Sequence, residues 1–406
     1  MKPTHTSVLL HNRTNPDAIV RDLLAGTYPQ LHWLTQHQVG EVSTAQLAYY
    51  LDLEARRDTP PLTSHNGQSL RSMSSGERKK TLLYWILQQK PEVLLLVDPF
   101  DGLDQEAQQQ LATTIAQYRD TMTIVQLVNR RADCFPFITH HYDLVQGQLK
   151  RTDLSEPQTS ADIDELDIPP PIAPSTLSLT ELVRFQEVSV QFNGRQVLTD
   201  ISWTITPGTF WQLQGPNGSG KSTLLQIITG DSHKGYGQHI ILFGYQKGHG
   251  ESVWELKQHI GYFSPAMIDG FKGYHTVMEM LLSGLHDSVG LYRKPTKAEQ
   301  RTAQAWLQML PIAKASIYFR DLSEGEKRLV MTARAMIKHP PLLILDEPTT
   351  GLDDINARLF VNLVNRYAAV TQSAILYVSH RPEPGLTPEK TFTLYPTANG
   401  SIGKVS

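Results

Sequence analysis

Two short runs of unbroken apolar residues punctuate the chain, Val93 to Val97 and Leu342 to Leu345. Runs of this length without alternation suit strands of a parallel sheet covered on both faces. Around the second run, strand and helix periods follow one another. "GTFWQLQ" at 208–214 reads as a strand with Phe210, Trp211 and Leu213 apolar, and "STLLQIITG" at 222–230 as a helix that stops at Gly230. "DLSEGEKRLVMTARAMIKHP" at 321–340 opens with Ser323 and Glu326 at capping-box spacing. Leu329, Ala333, Met336 and Ile337 then recur on one helical face, and Pro340 closes the helix. "AILYVSH" at 374–380 is a further apolar strand, ending in His380, and "QEAQQQL" at 105–111 reads as a solvated helix face. Strands alternating with helices predict an α/β fold. Trp254 and Trp306 are expected to be packing residues.

The two ends of this pattern repeat. "SMSSGERKK" at 72–80 matches "DLSEGEKRL" at 321–329, and "LLLVDPFDGLD" at 94–104 matches "LLILDEPTTGLD" at 342–353. Ser74 to Ser323, Pro99 to Pro348 and Asp104 to Asp353 share one shift of 249 residues. A single shift for three landmarks predicts a duplicated domain. "DAIVRDLLAG" at 17–26 also resembles "HTVMEMLLSG" at 275–284, at a different offset. Between the copies, residues 151–183 hold seven acids, one base and five prolines. Proline removes amide donors and like charges repel, so an extended, solvated linker is expected there. It separates a first part, 1–150, from a second, 184–406.

Composition narrows the class. Of the 406 residues, 40 % are hydrophobic and 19 % charged, which excludes collagenous, coiled-coil and wholly disordered chains and allows two or three domains. The formal charge is −3, so binding to nucleic acid through net charge is disfavoured. The single cysteine, Cys134, cannot form an intrachain disulfide and fits a reducing cytosol. No apolar run approaches the ~18 residues of a membrane helix. The first twelve residues are too polar for a signal peptide. A soluble, cytoplasmic protein is expected, with membrane contact only through a partner.

The candidate chemistry lies in the second part. "GPNGSGKS" at 215–222 fits the G-x-x-x-x-G-K-[ST] pattern between a predicted strand and helix. Glycines let backbone amides curl around phosphate, and the helix N-terminus adds positive potential. Lys221 can reach the β- and γ-phosphates and Ser222 can offer its hydroxyl to Mg²⁺. Asp346 ends a buried strand, where α/β sheets place ligands, and can hold the Mg²⁺ shell. Glu347 can polarise an attacking water. The hydroxyl of Ser323 and the amide of Gly325 at a helix start suit a γ-phosphate clamp.

Taken together these motifs resemble the ATP-binding cassette (ABC) ATPase family, fully over 184–406 and in part over 15–150. The resemblance implies a P-loop NTPase fold, a mixed sheet core with a helical subdomain, complete in the second half and partial in the first. It implies ATP and Mg²⁺ as cofactors. Phe192 is the adenine-stacking aromatic. Gly215, Pro216, Asn217, Gly218, Ser219, Gly220, Lys221, Ser222 and Thr223 bind phosphate. Ser323, Gly325 and Glu326 belong to the signature. Ser222 and Asp346 hold the metal, Glu347 and His380 are catalytic with Lys221, and Asp353 is the D-loop residue. Finer features, among them "SGLHDSVGLY" at 283–292, are similar to the ModF-type subgroup of tandem cassettes without membrane spans. Members work with a membrane transporter subunit or associate through their ABC domains. The family's Q-loop glutamine would fall near Ser264 or Pro265, and neither is Gln, so coupling to a transporter is an open point. A switch that binds ATP without turnover and a ribosomal translation factor are the alternatives. Glu347 and His380 argue against the first, and an acidic linker facing RNA phosphate argues against the second.

The first part carries no glycine-rich phosphate loop. Carried back by the shift of 249, that loop would precede the first residue, so this half is expected to begin after it or to be truncated. Aligned through Pro99, Val97 replaces the metal aspartate and Asp98 the catalytic glutamate, and Asn129 stands where the switch histidine would be. Ser74 and Gly76 of the signature and the "GLD" ending in Asp104 survive. The expectation is one competent site per chain, with Ser74 and Gly76 closing over the γ-phosphate. The competing reading pairs second halves from two chains through Ser323.

Overall fold

The computed structural model of the chain describes residues 3–12, 14–56, 62, 67–154, 167–173, 179–312, 315–380 and 382–406. They fall into two units, one of residues 1–161 together with Thr350–Ile355 and one of residues 162–349 with 356–406.

The first unit is built on a six-stranded sheet. Its strands are β1 (Thr6–Leu9), β2 (Val39–Val42), β3 (Val93–Val97), β4 (Thr123–Val128), β5 (His140–Val145) and β6 (Gln148–Arg151). The order is β2-β3-β4-β1-β5-β6, parallel except for the closing β5–β6 hairpin. Helices α1 (Pro16–Leu24), α2 (Thr44–Arg56), α3 (Ser75–Gln88) and α4 (Gln105–Ala116) accompany it. Leu94 and Leu96 enter one apolar cluster with Leu83 and Ile124, while Val93, Leu95 and Val97 enter another with Val8 and Ile19. Side chains alternate across a strand, so a strand covered on both faces must be apolar throughout, as the sequence pattern of β3 predicts.

The second unit holds a ten-stranded sheet of order β11-β10-β7-β8-β16-β15-β9-β14-β13-β12. Its strands are β7 (Val183–Phe192), β8 (Arg195–Ile205), β9 (Phe210–Gln214), β10 (His239–Leu242), β11 (Tyr245–Gln246), β12 (Ile260–Phe263), β13 (Leu342–Asp346), β14 (Ala374–Val378), β15 (Lys390–Thr397) and β16 (Gly400–Val405). Strands β12, β13, β14, β9 and β15 pair in parallel, and β7, β8, β10 and β11 extend the sheet in antiparallel fashion. The helices are α5 (Lys221–Ile228), α6 (Val253–Gln258), α7 (Pro265–Asp269), α8 (Val277–Ser283), α9 (Lys297–Met309), α10 (Glu324–Met336) and α11 (Asp354–Val370). The predicted face of α10, Leu329, Ala333, Met336 and Ile337, is fully buried. No helix among the described residues is long and apolar enough to cross a membrane.

The two sheets share part of their strand order. The first sheet repeats the β12-β13-β14-β9-β15-β16 part of the second, with β1 in the place of β9. Val8 pairs with Leu127 as Leu213 pairs with Val378. The amides of Asp98 and Glu347 donate to the carbonyls of Leu127 and Val378, which fixes the same register in both units. Helix α1 starts at Pro16 as α5 starts at Lys221, so residues 10–17 stand in the register of 215–222. The expectation that this register would precede residue 1 is thus corrected by the strand pairing. The first unit has the preceding strand and helix, with Leu10, His11, Asn12, Thr14 and Asn15 described between them. The single shift misled because it holds only from the signature onward. From Leu10 to Ser74 is 64 residues, whereas from Gly215 to Ser323 is 108. The likeness of 17–26 to 275–284 is likewise not structural, since α1 corresponds to α5 and not to α8.

In the described middle of the linker, Asp167, Pro170, Pro171, Ile172 and Ala173 are exposed. Its first residue, Arg151, closes β6 and its last, Val183, opens β7. Pro169 is buried on the second unit, where its carbonyl accepts from His339 Nε2 at 2.8 Å. The rest of the expected linker, residues 155–166 and 174–178, lies outside the described residues. Trp306 is fully buried as expected, but Trp254 is 71 % exposed and packs no core.

Candidate active site

The β9–α5 turn is shaped by its glycines. Gly215 has φ 150°, and a Cβ there would sit 2.6 Å from Ser219 Oγ and 3.0 Å from the Leu394 carbonyl oxygen. Gly220, at φ 98°, would drive a methyl to 2.6 Å from Leu198. Side chains at these points would be both strained and obstructed. Lys221 opens α5, is 8 % exposed, and donates from Nζ to the carbonyls of Gly215 at 2.7 Å and Pro216 at 3.1 Å. Ser219 is 1 % exposed and its Oγ has no hydrogen-bond partner among the described residues. Ser222 and Thr223 follow in the first turn, whose amides point along the helix axis toward the loop. A glycine-shaped cradle, a helix start, an ammonium and a buried unpaired hydroxyl fit a polyphosphate.

Two carboxylates stand beside this loop. Asp346 ends β13, and Glu347 follows it in a left-handed conformation at φ 46°. Burial, and then the neighbouring Glu347 charge, push Asp346 up to about 6, against the pull of Tyr262 and Lys221. Glu347 is held below the usual carboxylate range, mainly by His380, whose Nδ1 lies 3.3 Å from its Oε1, with Lys221 and Arg328 adding to the effect. Tyr262 of β12 donates its hydroxyl to Asp346 Oδ2 at 3.5 Å and is itself pushed up to about 12, first by burial. The backbone thus brings together Lys221, Asp346, Glu347 and His380 at the ends of β9, β13 and β14. Ser222 with Asp346 forms a fitting hard-oxygen pair for a divalent cation.

Other expected residues lie elsewhere. Phe192 ends β7, 36 % exposed, with the Lys234 ammonium 5.3 Å from its ring centre. Ser323 caps α10 in the predicted box, exchanging hydrogen bonds with Glu326, while Gly325 is buried in the first turn. Glu324 is exposed and ion-paired with Lys327. Asp353 falls in the first unit, where its amide donates to Asn12 Oδ1 at 3.0 Å and its carboxylate accepts from the Asn12 amide at 2.9 Å. In that unit Ser74 caps α3 in a second capping box with Glu77, and a Cβ on Gly76 would meet Leu103 at 3.1 Å. Asp104 caps α4. Asp98 repeats the left-handed turn of Glu347 at φ 41°, and Asn129 Nδ2 donates to its Oδ2 at 2.9 Å. Cys134 is half-buried, and burial raises its thiol to about 11, far from a reactive thiolate.

The linear pattern did not reveal Tyr262, Arg328 or Asn12. Tyr262 reaches the site only through the β12–β13 register, Arg328 donates to the carbonyls of Glu347 and Pro348 from a helix face, and Asn12 lies in a loop with no glycine signal.

A family profile described as ABC transporter matches residues 198–350. The ABC transporter ATP-binding protein ModF of Escherichia coli is 37 % identical over 328 residues, covering 77 % of this chain and 67 % of that protein. An uncharacterised ABC transporter ATP-binding protein of Schizosaccharomyces pombe is 30 % identical over 323 residues, covering 77 % and 66 %. The matched part thus spans about two thirds of the length of these relatives. Among solved structures, a nucleotide-free ATP-binding cassette from an ABC transporter matches at 21 % identity and a TM-score of 0.46, covering 56 % of this chain and 91 % of that one.

Proposed function

This chain belongs to the family of ABC transporter ATP-binding proteins, which are ATPases, and we propose that its hydrolysis is carried by one site, in the second unit. The observation that carries the proposal is the contrast between the two registers. Residues 215–222 form a glycine cradle with Lys221, whereas residues 10–17 place leucine, proline and aspartate at the positions of Gly215, Lys221 and Ser222.

Each residue then has a role within this reading. The loop amides from Gly215 to Thr223 and the Lys221 ammonium bind the phosphates, and Phe192 offers its exposed ring to the adenine. Ser222 and Asp346 would hold Mg²⁺, which supplies charge neutralisation at the phosphates. Glu347, kept ionised by His380, orients a water and takes its proton. His380 fixes the Glu347 carboxylate through the 3.3 Å contact. Ser74 and Gly76 of the signature and Asp353 of the D-loop are the further nucleotide-binding residues of this reading. ModF is an ABC transporter ATP-binding protein by name, which supports a transporter subunit as partner and a cytoplasmic location at a membrane's inner face. Self-association through the ABC domains is the second partner reading.

The test is steady-state ATP turnover of the full chain beside Glu347→Gln. Loss of a positioned base lowers turnover by roughly 10²–10⁴ while ATP still binds. Unchanged turnover would refute the role of Glu347.

A further inference from the structure

The adjacent carboxylates at the end of β13 are tied to opposite neighbours. Glu347 meets His380, beyond β14. Asp346 meets Tyr262, on β12. The β12–β13 register explains the reach. Tyr262 lies opposite Ile344, so Asp346 is two residues further on, about 6.6 Å along the strand. A long side chain leaning along its strand spans that distance. A tyrosine hydroxyl carries its proton at neutral pH and so can donate to the carboxylate. Two neighbouring anions repel, and a one-sided tether on each sets how they part. Neither Ser264 nor Pro265, which follow the strand, offers a carboxamide.

We propose that Tyr262 is a positioning residue that sets the orientation of the Asp346 carboxylate, so that the affinity of the nucleotide site for its divalent cation depends on the Tyr262 hydroxyl. Oδ2 accepts from Tyr262 at 3.5 Å, so the tether acts on one oxygen of the carboxylate. The inference rests on the proposed ATPase reading.

The test uses the full chain carrying Glu347→Gln, whose slowed turnover keeps ATP intact over the measurement. Mn²⁺ binding at saturating ATP is followed by electron paramagnetic resonance. ATP affinity in EDTA and the melting temperature are measured beside it. Tyr262→Phe keeps the ring and removes the donor. It raises the apparent Mn²⁺ dissociation constant about three- to tenfold, with metal-free ATP affinity unchanged. In an Asp346→Asn background the same substitution changes Mn²⁺ affinity less than about twofold, because the hydroxyl acts through the carboxylate. Equal Mn²⁺ affinity with and without Tyr262→Phe overturns the proposal, and so does an equal loss in both backgrounds. If the Glu347→Gln chain itself binds no Mn²⁺ with ATP, the ATPase reading fails and not this inference.

Discussion

Asp98 and Glu347 share a left-handed turn and the same backbone hydrogen bond, yet their surroundings push them in opposite directions. Burial of its carboxyl, and then Asp101, raise Asp98 to about 7, whereas His380 holds Glu347 down. Because the folded value of Asp98 lies above its unfolded one, the native state binds the extra proton between about pH 4 and pH 7. The stability it contributes is full below the ordinary carboxylate range and lost as pH rises through about 7. The urea midpoint of the first unit should therefore fall between pH 5 and pH 8 by more in the wild type than in Asp98→Asn. Parallel pH dependences would show that Asp98 ionises normally. The exchange of Glu347 for Asp98 is legible from the sequence because each directly precedes the shared Pro-x-x-Gly-Leu-Asp end, and that of His380 for Asn129 because each ends the next apolar run. The Tyr262–Asp346 and Asn12–Asp353 pairings are not. They depend on strand register and on a loop whose residues carry no phosphate signal.

At the scale of elements, both units bring a helix close to the edge strand of the sheet through one glycine. A methyl on Gly261 of β12 would overlap the Ala335 carbonyl oxygen of α10 and press on Pro340, and one on Gly40 of β2 would overlap Ile86 of α3. The first clash is with backbone, which cannot swing aside, and the second with a side chain, which can. Gly261→Ala should thus destabilise its unit by about 2–3 kcal/mol, and Gly40→Ala by less, in separate denaturant titrations. Equal costs would mean that α10 shifts as easily as the Ile86 side chain. The strands and helices around these glycines were readable from apolar period and caps. The position of β1 was not, because the two units differ in length between loop and signature. A constant offset can locate a repeat only where no segment has been gained or lost.

At the scale of the whole molecule, the duplicated fold carries unequal chemistry. One register holds a glycine cradle with paired carboxylates, and the other holds a proline at the helix start and valine at the metal position. What both keep is a capping box on the signature helix, Ser74 with Glu77 and Ser323 with Glu326. A capping box stabilises a helix start whether or not a nucleotide meets it, at about 1 kcal/mol, so its survival alone does not decide which serine serves catalysis. Arginine substitution separates the two roles, since it adds bulk and charge as well as removing the cap. If the first unit completes the site, Ser74→Arg lowers ATP turnover at least about tenfold while Ser323→Arg leaves it near wild type, and turnover per chain is independent of protein concentration. The opposite ranking, with turnover rising with concentration, would assign catalysis to paired second units from separate chains. Either serine also stabilises its helix, so each variant's ATP affinity is measured alongside. Lost turnover with retained ATP binding marks a missing clamp, whereas joint loss marks a damaged fold.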